Sequence, residues 1–317
     1  MQLAIIYNSY DNKLLDNTYS YIYRGLFNAL VSKFDTKLIT VNCNAKDIEA
    51  DVILFYDINS HHDIRIDGIE KHPALKLEYM SDPHQKEFFG RYISTGREVH
   101  KLSAEQRIRR AFGRGGSQII CPYKAGYYRY LAPVIGKDAE EMLWYFPHSP
   151  WFKTSNTWKD RKIEVLGNGA TWDGGVGMYQ FRKWAYEQPQ VTYVPHVIKD
   201  KGTPSGKNYG EFLVQWAGSL ALNEFFPINK YFEIPMAGCV TFAQWHREYE
   251  DLGFVDYETC VYVNKENFID RIDDFTTYYL EYEHIAKAGK ELMEQNYTAD
   301  HFADFVYNKV KEKIDGK

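Results

Sequence analysis

Short apolar runs alternate along the chain with segments of helical periodicity. LAIIY (3–7), KLITV (37–41), VILFY (52–56), LKLEY (75–79) and SQIIC (117–121) have strand length, and MLWYF (142–146) reads as a further strand. Between the first two, Leu14 to Phe34 carries Ile22, Leu26, Phe27, Leu30 and Val31 at helical spacing. Ser103 and Gln106 have the spacing of a capping box and predict a short helix that stops at Gly113. Apolar strands alternating with helices belong to a parallel sheet covered on both faces.

From 147 to 162 the texture changes to Pro, Ser, Thr and charge, which reads as a linker. A second α/β series follows. Its predicted strands are KIEVLGNG (162–169), QVTYVPH (190–196), the run around Ala217–Leu222, GCVTF (238–242) and CVYV (260–263), with helices near 179–187, 208–216, 228–237 and 265–287. A helical stripe of Phe302, Phe305, Val306 and Val310 closes the chain. The pattern predicts two doubly wound domains, 1–148 and 160–298, and a C-terminal helix, 299–317, able to pack back across them. In such sheets ligands bind at the carboxyl ends of the strands.

With 317 residues, 44% of them hydrophobic, the chain has material for two cores. Its net charge of −5 does not describe a wholesale nucleic-acid binder. The charge is uneven, however. No acid occurs from Gln106 to Lys137, a stretch that carries Arg107, Arg109, Arg110 and Arg114 and interleaves them with aromatics, whereas Glu248 to Glu283 is acidic. The basic stretch reads either as a nucleic-acid surface that neutralises phosphates and stacks bases, or as a solvated helix face that draws in an anionic ligand. The four cysteines form no CxxC pair and read as buried thiols, as expected in a reducing cytoplasm. No run approaches bilayer-spanning length, so no membrane insertion is expected, and the N-terminus reads as a first strand.

Two segments carry candidate chemistry. In KIEVLGNGATWDGGVGMYQFRKW a strand enters Gly167-Asn168-Gly169, a glycine-rich loop and then a helix bearing Arg182 and Lys183. Glycines admit a phosphate to the backbone, and a helix N-terminus with cations can hold it; the same pattern also fits a flexible loop with a solvated basic pair. In NKYFEIPMAGCVTFAQ a short helix presents Lys230, Tyr231 and Glu233 before Gly238, whose position suits a helix terminator. A carboxylate there can accept both hydroxyls of a ribose, or can pair with Lys230 on a solvated face.

The second segment, with the DLGF turn and the CVYV strand, resembles the C-terminal domain of spore-maturation-protein-like glycosyltransferases of the GT-B superfamily. The resemblance extends through the LGNG loop, Tyr179 to Arg182, YGEFL (209–213) and Ala221–Asn223, and covers roughly 145–290. It implies the GT-B fold: two Rossmann-like domains with an inter-domain cleft. It further implies sugar transfer from a nucleoside-diphosphate sugar, with UDP the expected nucleotide, and no metal or further cofactor. By the resemblance, Glu233 binds the ribose, Lys230 and Arg182 the diphosphate, His196 and Val197 lie along the base, and Gly167 to Gly169 face the phosphates or the sugar. Retaining relatives carry a second glutamate upstream of this one. The matching position here is not acidic, and Glu224 is the nearest acid, so the stereochemical course stays open.

The N-terminal half is expected to hold the acceptor and a general base, for which Asp82 and His84 are the leading candidates; Asp57, His61 and His62 follow another strand. Consecutive residues such as His61 and His62 point to opposite sides of an extended chain, which disfavours a metal site. The leading acceptor is a hydroxymethylated pyrimidine in DNA, which must be flipped out of a duplex to be modified. A cell-surface or spore glycan, or a small molecule, is the alternative acceptor. A non-catalytic nucleotide- or polyanion-binding protein is the alternative class.

Overall fold

Parallel strands in two separate sheets frame the protein. The structure is a computed structural model that describes residues 1–7, 21–57, 64–81, 91–94, 97–100, 102–116, 118–147, 157–171, 177–195, 204 and 208–316. The described residues divide into two compact units. One comprises those from Met1 to Pro147, Tyr21 and Ile22 apart, together with those from Ala299 onward; the other extends to Thr298.

In the first unit the strands are β1 (Gln2–Ile6), β2 (Asp35–Ile39), β3 (Val52–Asp57), β4 (Leu75–Met80), β5 (Gln118–Cys121) and β6 (Leu143–Tyr145). They lie in the order β6-β5-β4-β3-β1-β2, every neighbouring pair parallel. Val52, Ile53 and Leu54 are wholly buried, as a central strand covered on both faces demands. The edge strand β2 starts two residues earlier than expected and carries Asp35 and Lys37, polar residues suited to an unpaired edge. Helix α1 (Tyr21–Lys33) follows β1, and α2 (Ala104–Gly113) begins with the full capping box of Ser103 and Gln106.

The second sheet comprises β7 (Lys162–Asn168), β8 (Val191–Val194), β9 (Trp216–Ala221), β10 (Val240–Gln244) and β11 (Val261–Val263). Its order is β8-β7-β9-β10-β11, again parallel throughout. Helices α3 (Gln180–Tyr186), α4 (Asn208–Leu213), α5 (Lys230–Met236), α6 (Arg247–Asp251), α7 (Phe268–Thr277) and α8 (Glu283–Asn296) cover it. Phe181, Phe242, Phe268 and Phe275 fill one face; Phe232, Tyr249 and Phe254 fill the other. The single helix expected over 265–287 is two, because Tyr278 leaves helical geometry (φ −117, ψ 30). Within α5, Pro235 lacks the N–H that would reach the Tyr231 carbonyl, and the Tyr249 hydroxyl donates to that carbonyl instead, at 2.8 Å.

Helix α9 (Ala299–Asp315) groups with the first unit. Phe302 and Phe305 pack on Phe146, with centroids 6.0 and 5.2 Å apart, and Tyr307 packs on Phe34. Among the described residues no helix is long and apolar enough to cross a membrane.

Candidate functional site

The chain runs from β7 outward to β8 and returns to β9 on the other side, so the carboxyl ends of β7 and β9 form a topological switch point, where doubly wound sheets open a crevice. Asn168 and Gly169 end β7, and Leu222 and Asn223 follow β9. Arg182 of α3 laces these ends together. Its Nε donates to Leu222 O at 2.9 Å, Nη2 donates to the same oxygen, and Nη1 donates to Ala170 O at 3.1 Å. The guanidinium also lies 3.6 Å from the centre of the Tyr179 ring. This corrects the expectation that Arg182 neutralises a diphosphate: at 2% exposure it is enclosed and already bonded to backbone carbonyls, so it shapes the crevice. Lys183, the next residue, is exposed on the outer side of the same helix.

The first turn of α5 supplies the polar centre. Lys230 Nζ donates to Asn168 Oδ1 at 2.5 Å and to the Tyr209 hydroxyl at 3.0 Å. Asn168 Nδ2 donates to the same hydroxyl at 3.2 Å. Glu233 follows three residues after Lys230 and so shares its helix face. It is 4% exposed, yet its carboxylate accepts no hydrogen bond from any described residue. Burial pushes the Glu233 carboxyl upward, and the nearby Lys230 ammonium only partly restores it. Burial draws Lys230 downward; Glu233 counters that shift and Arg182 adds to it. Each group therefore gains from a ligand that supplies hydroxyl donors to the carboxylate and negative charge to the ammonium.

The glycines divide by role. A Cβ on Gly167 would sit 2.8 Å from the Tyr186 ring and from Val191, so this residue serves packing between strand and helix. Gly169 has φ +104, and a Cβ there would meet Lys230 Cε at 3.0 Å, so its bareness admits the lysine arm. Gly238, at φ +69, closes α5 on the opposite edge of the sheet, beside Arg161. Gly238, which the sequence also offers as a cofactor-binding candidate, therefore lies away from the carboxyl ends of the strands. Tyr231 is fully buried, donates to Gln244 O at 3.1 Å and packs edge-on against Tyr249, so it too is core.

His196, Val197, Asp82, His84, His61 and His62 lie outside the described residues. Of the basic stretch, Arg107 is buried and donates to Ser81 O at 2.9 Å. Arg114 sits over the Phe55 ring and pairs with Glu78 at 3.5 Å. Arg110 is half-buried, and exposed Arg109 pairs with Glu105 on its own helix. The four arginines thus do not form one solvent face: helical spacing turns Arg107 inward and Arg109 outward. Sequence reasoning gave Tyr209 no role of its own, and Glu224, named only as the nearest acid, accepts at Oε1 from Phe181 N at 2.5 Å at the start of α3.

Two units, each a parallel sheet flanked by helices, are the architecture of the GT-B fold of glycosyltransferases. The glycosyl transferase-like family matches residues 149–308, half of the chain, and the chain belongs to that family. Among solved structures it is similar to Anabaena HepE in complex with UDP and glucose, at 11% identity and TM-score 0.55, over 98% of this chain and 100% of that one. It is similar to an alpha-glucosyltransferase in complex with UDP and a 13-mer DNA containing a HMU base, at 10% identity and TM-score 0.56, over 98% and 99%. Sucrose-phosphate synthase from Thermosynechococcus elongatus matches at 9% identity and TM-score 0.58, over the whole of both chains. At such identities the likeness is one of fold. No curated protein matches the sequence.

Proposed function

We propose that the protein transfers a sugar from a UDP-sugar to an acceptor hydroxyl, with the donor nucleotide held at the carboxyl edge of the second sheet. The observation that carries this reading is Glu233: a nearly enclosed carboxylate without a hydrogen bond from the described residues, beside the half-buried Lys230 ammonium at a switch point. The vicinal hydroxyls of a ribose would satisfy the carboxylate, and a diphosphate would face Lys230. In the reaction the bond between the anomeric carbon and the diphosphate oxygen breaks, and the nucleotide leaves with the electron pair. The acceptor oxygen bonds to the anomeric carbon and gives its proton to a base, for which Asp82 and His84 remain our candidates. Lys230 offsets the charge that grows on the leaving diphosphate. Similar solved structures contain UDP, with glucose in one and DNA in another.

Calorimetric titration of UDP into the wild type and Glu233→Ala tests the donor site. Loss of both ribose contacts predicts affinity weaker by roughly 10- to 100-fold, with the fold retained. Equal affinity in the two proteins rejects the assignment.

For the acceptor we favour a hydroxymethylated pyrimidine in DNA. The similar alpha-glucosyltransferase was solved with such a DNA ligand, and Lys124, Arg129 and Lys137 remain exposed in the basic stretch. Incubating UDP-sugars with hydroxymethylated DNA, glycan and small-molecule pools, read by mass, should give a gain of one sugar on the DNA. A gain on another pool selects the alternative acceptor. Salt-sensitive DNA binding with no transfer to any pool selects the non-catalytic reading.

A further inference from the structure

Asn168, Tyr209 and Lys230 come from the end of β7, the start of α4 and the first turn of α5, three places far apart in the chain. Their polar tips nevertheless close a triangle of 2.5, 3.0 and 3.2 Å. An ammonium has three N–H donors. Two are engaged by Asn168 and Tyr209, and both partners are uncharged. A carboxylate in either place would hold the lysine equally well but would cancel its charge and compete with an anionic ligand. Burial pushes the Tyr209 phenol well above its ordinary value, which keeps it neutral while it holds a cation. The lysine arm passes over Gly169, where any side chain would crowd Cε. A free lysine side chain gives up about 2 kcal/mol of rotamer entropy when a ligand fixes it. Here that ordering precedes the ligand.

Resting on the donor site proposed above, we propose that Tyr209 is a positioning residue which, with the Asn168 carboxamide, holds Lys230 so that its third N–H serves the diphosphate of the donor. The corollary is a division of labour. Tyr209 matters for phosphate recognition and not for the nucleoside, whereas Glu233 matters for the nucleoside.

The test compares UDP with uridine, which lacks the phosphates, in wild type, Tyr209→Phe, Lys230→Met and the double variant, with thermal melts as the control for folding. Tyr209→Phe should weaken UDP by about tenfold, the effect of losing one hydrogen bond to a charged group, and leave uridine within about twofold. On the Lys230→Met background the tyrosine change should add nothing, because its only route to the ligand is gone. A purely structural tyrosine would weaken both ligands alike, or add its full effect to Lys230→Met; either result overturns the proposal, as does unchanged UDP binding in Tyr209→Phe. Failure of the wild type to bind either ligand would instead remove the donor site itself. Should Tyr209→Phe not fold, Asn168→Ser removes the other tether and is held to the same outcomes.

Discussion

Both edges of the second sheet bury a cation. At the amino edge Arg161, 7% exposed, donates to Trp216 O at 3.2 Å, Ala237 O at 3.0 Å and Cys239 Sγ at 3.3 Å. Its partners are mostly backbone carbonyls that the sheet and α5 would otherwise leave unpaired, and so the charge acts as mortar. At the carboxyl edge Arg182 is used in the same way, but Lys230 is not. Neutral side chains hold it, and the nearby carboxylate accepts no bond from the described residues. The contrast separates two meanings of a buried charge. Where backbone carbonyls accept from it, the charge ties strand to helix; where neutral side chains hold it beside a carboxylate on the same helix face, it fits the ligand role proposed above.

Removing the mortar should have the largest effect on stability. Arg161→Met leaves two carbonyls without their donor and should cost about 3 kcal/mol in denaturant unfolding, while UDP affinity of the folded protein is unchanged. Weakened UDP binding with stability intact would erase the distinction between the two edges. Gly169→Ala comes next. A non-glycine residue at φ +104 is strained, by about 1–2 kcal/mol, and its methyl also displaces the Lys230 arm. UDP affinity should fall while uridine affinity holds; an equal fall in both would mean that the strain spreads through the whole crevice.

Glu233→Gln should move stability the other way. Because burial raises its folded value, the folded chain binds a proton more tightly than the unfolded chain does. The resulting penalty is absent below the ordinary carboxylate range and grows as pH rises from there through the raised value. Lys230 has the mirror-image penalty, which grows as pH falls from the ordinary lysine range through its lowered value, and loss of Glu233 would enlarge it. The net gain of the glutamine variant at pH 7 should therefore be modest, about 1 kcal/mol, and smaller at pH 5. Thermal melts of both proteins at the two pH values check this, and a variant less stable at pH 7 than the wild type would contradict it.

Much of this was legible in the sequence, and the losses have particular causes. Apolar runs marked the strands because both sheets are covered on both faces, and the Ser103–Gln106 box and the Gly238 stop are local devices that need no tertiary context. The direction of Arg182 was readable but overlooked. Met178, Phe181, Ala185 and Tyr186 form the buried stripe of α3 and its approach, and Arg182 falls within it. Tyr209 was not readable. Nothing in YGEFL says that its first residue meets a lysine 21 positions later, because that contact depends on where α4, α5 and the end of β7 come together in the fold.

The smallest predicted effect concerns Lys183 and tests the same comparison from outside. Adjacent helical residues diverge by about 100°, so one member of the Arg182–Lys183 pair can be walled in while the other faces solvent. The inward residue is fixed by carbonyls of Leu222 and Ala170; the outward one is an exposed charge. Solvent screens an exposed lysine, and its replacement normally changes stability by less than about 0.5 kcal/mol. Lys183→Ala should accordingly leave both the melt and UDP affinity close to wild type. A large loss of UDP binding in that variant would show that the ligand approaches over the outer face of α3, and the diphosphate would then have to be moved away from Lys230.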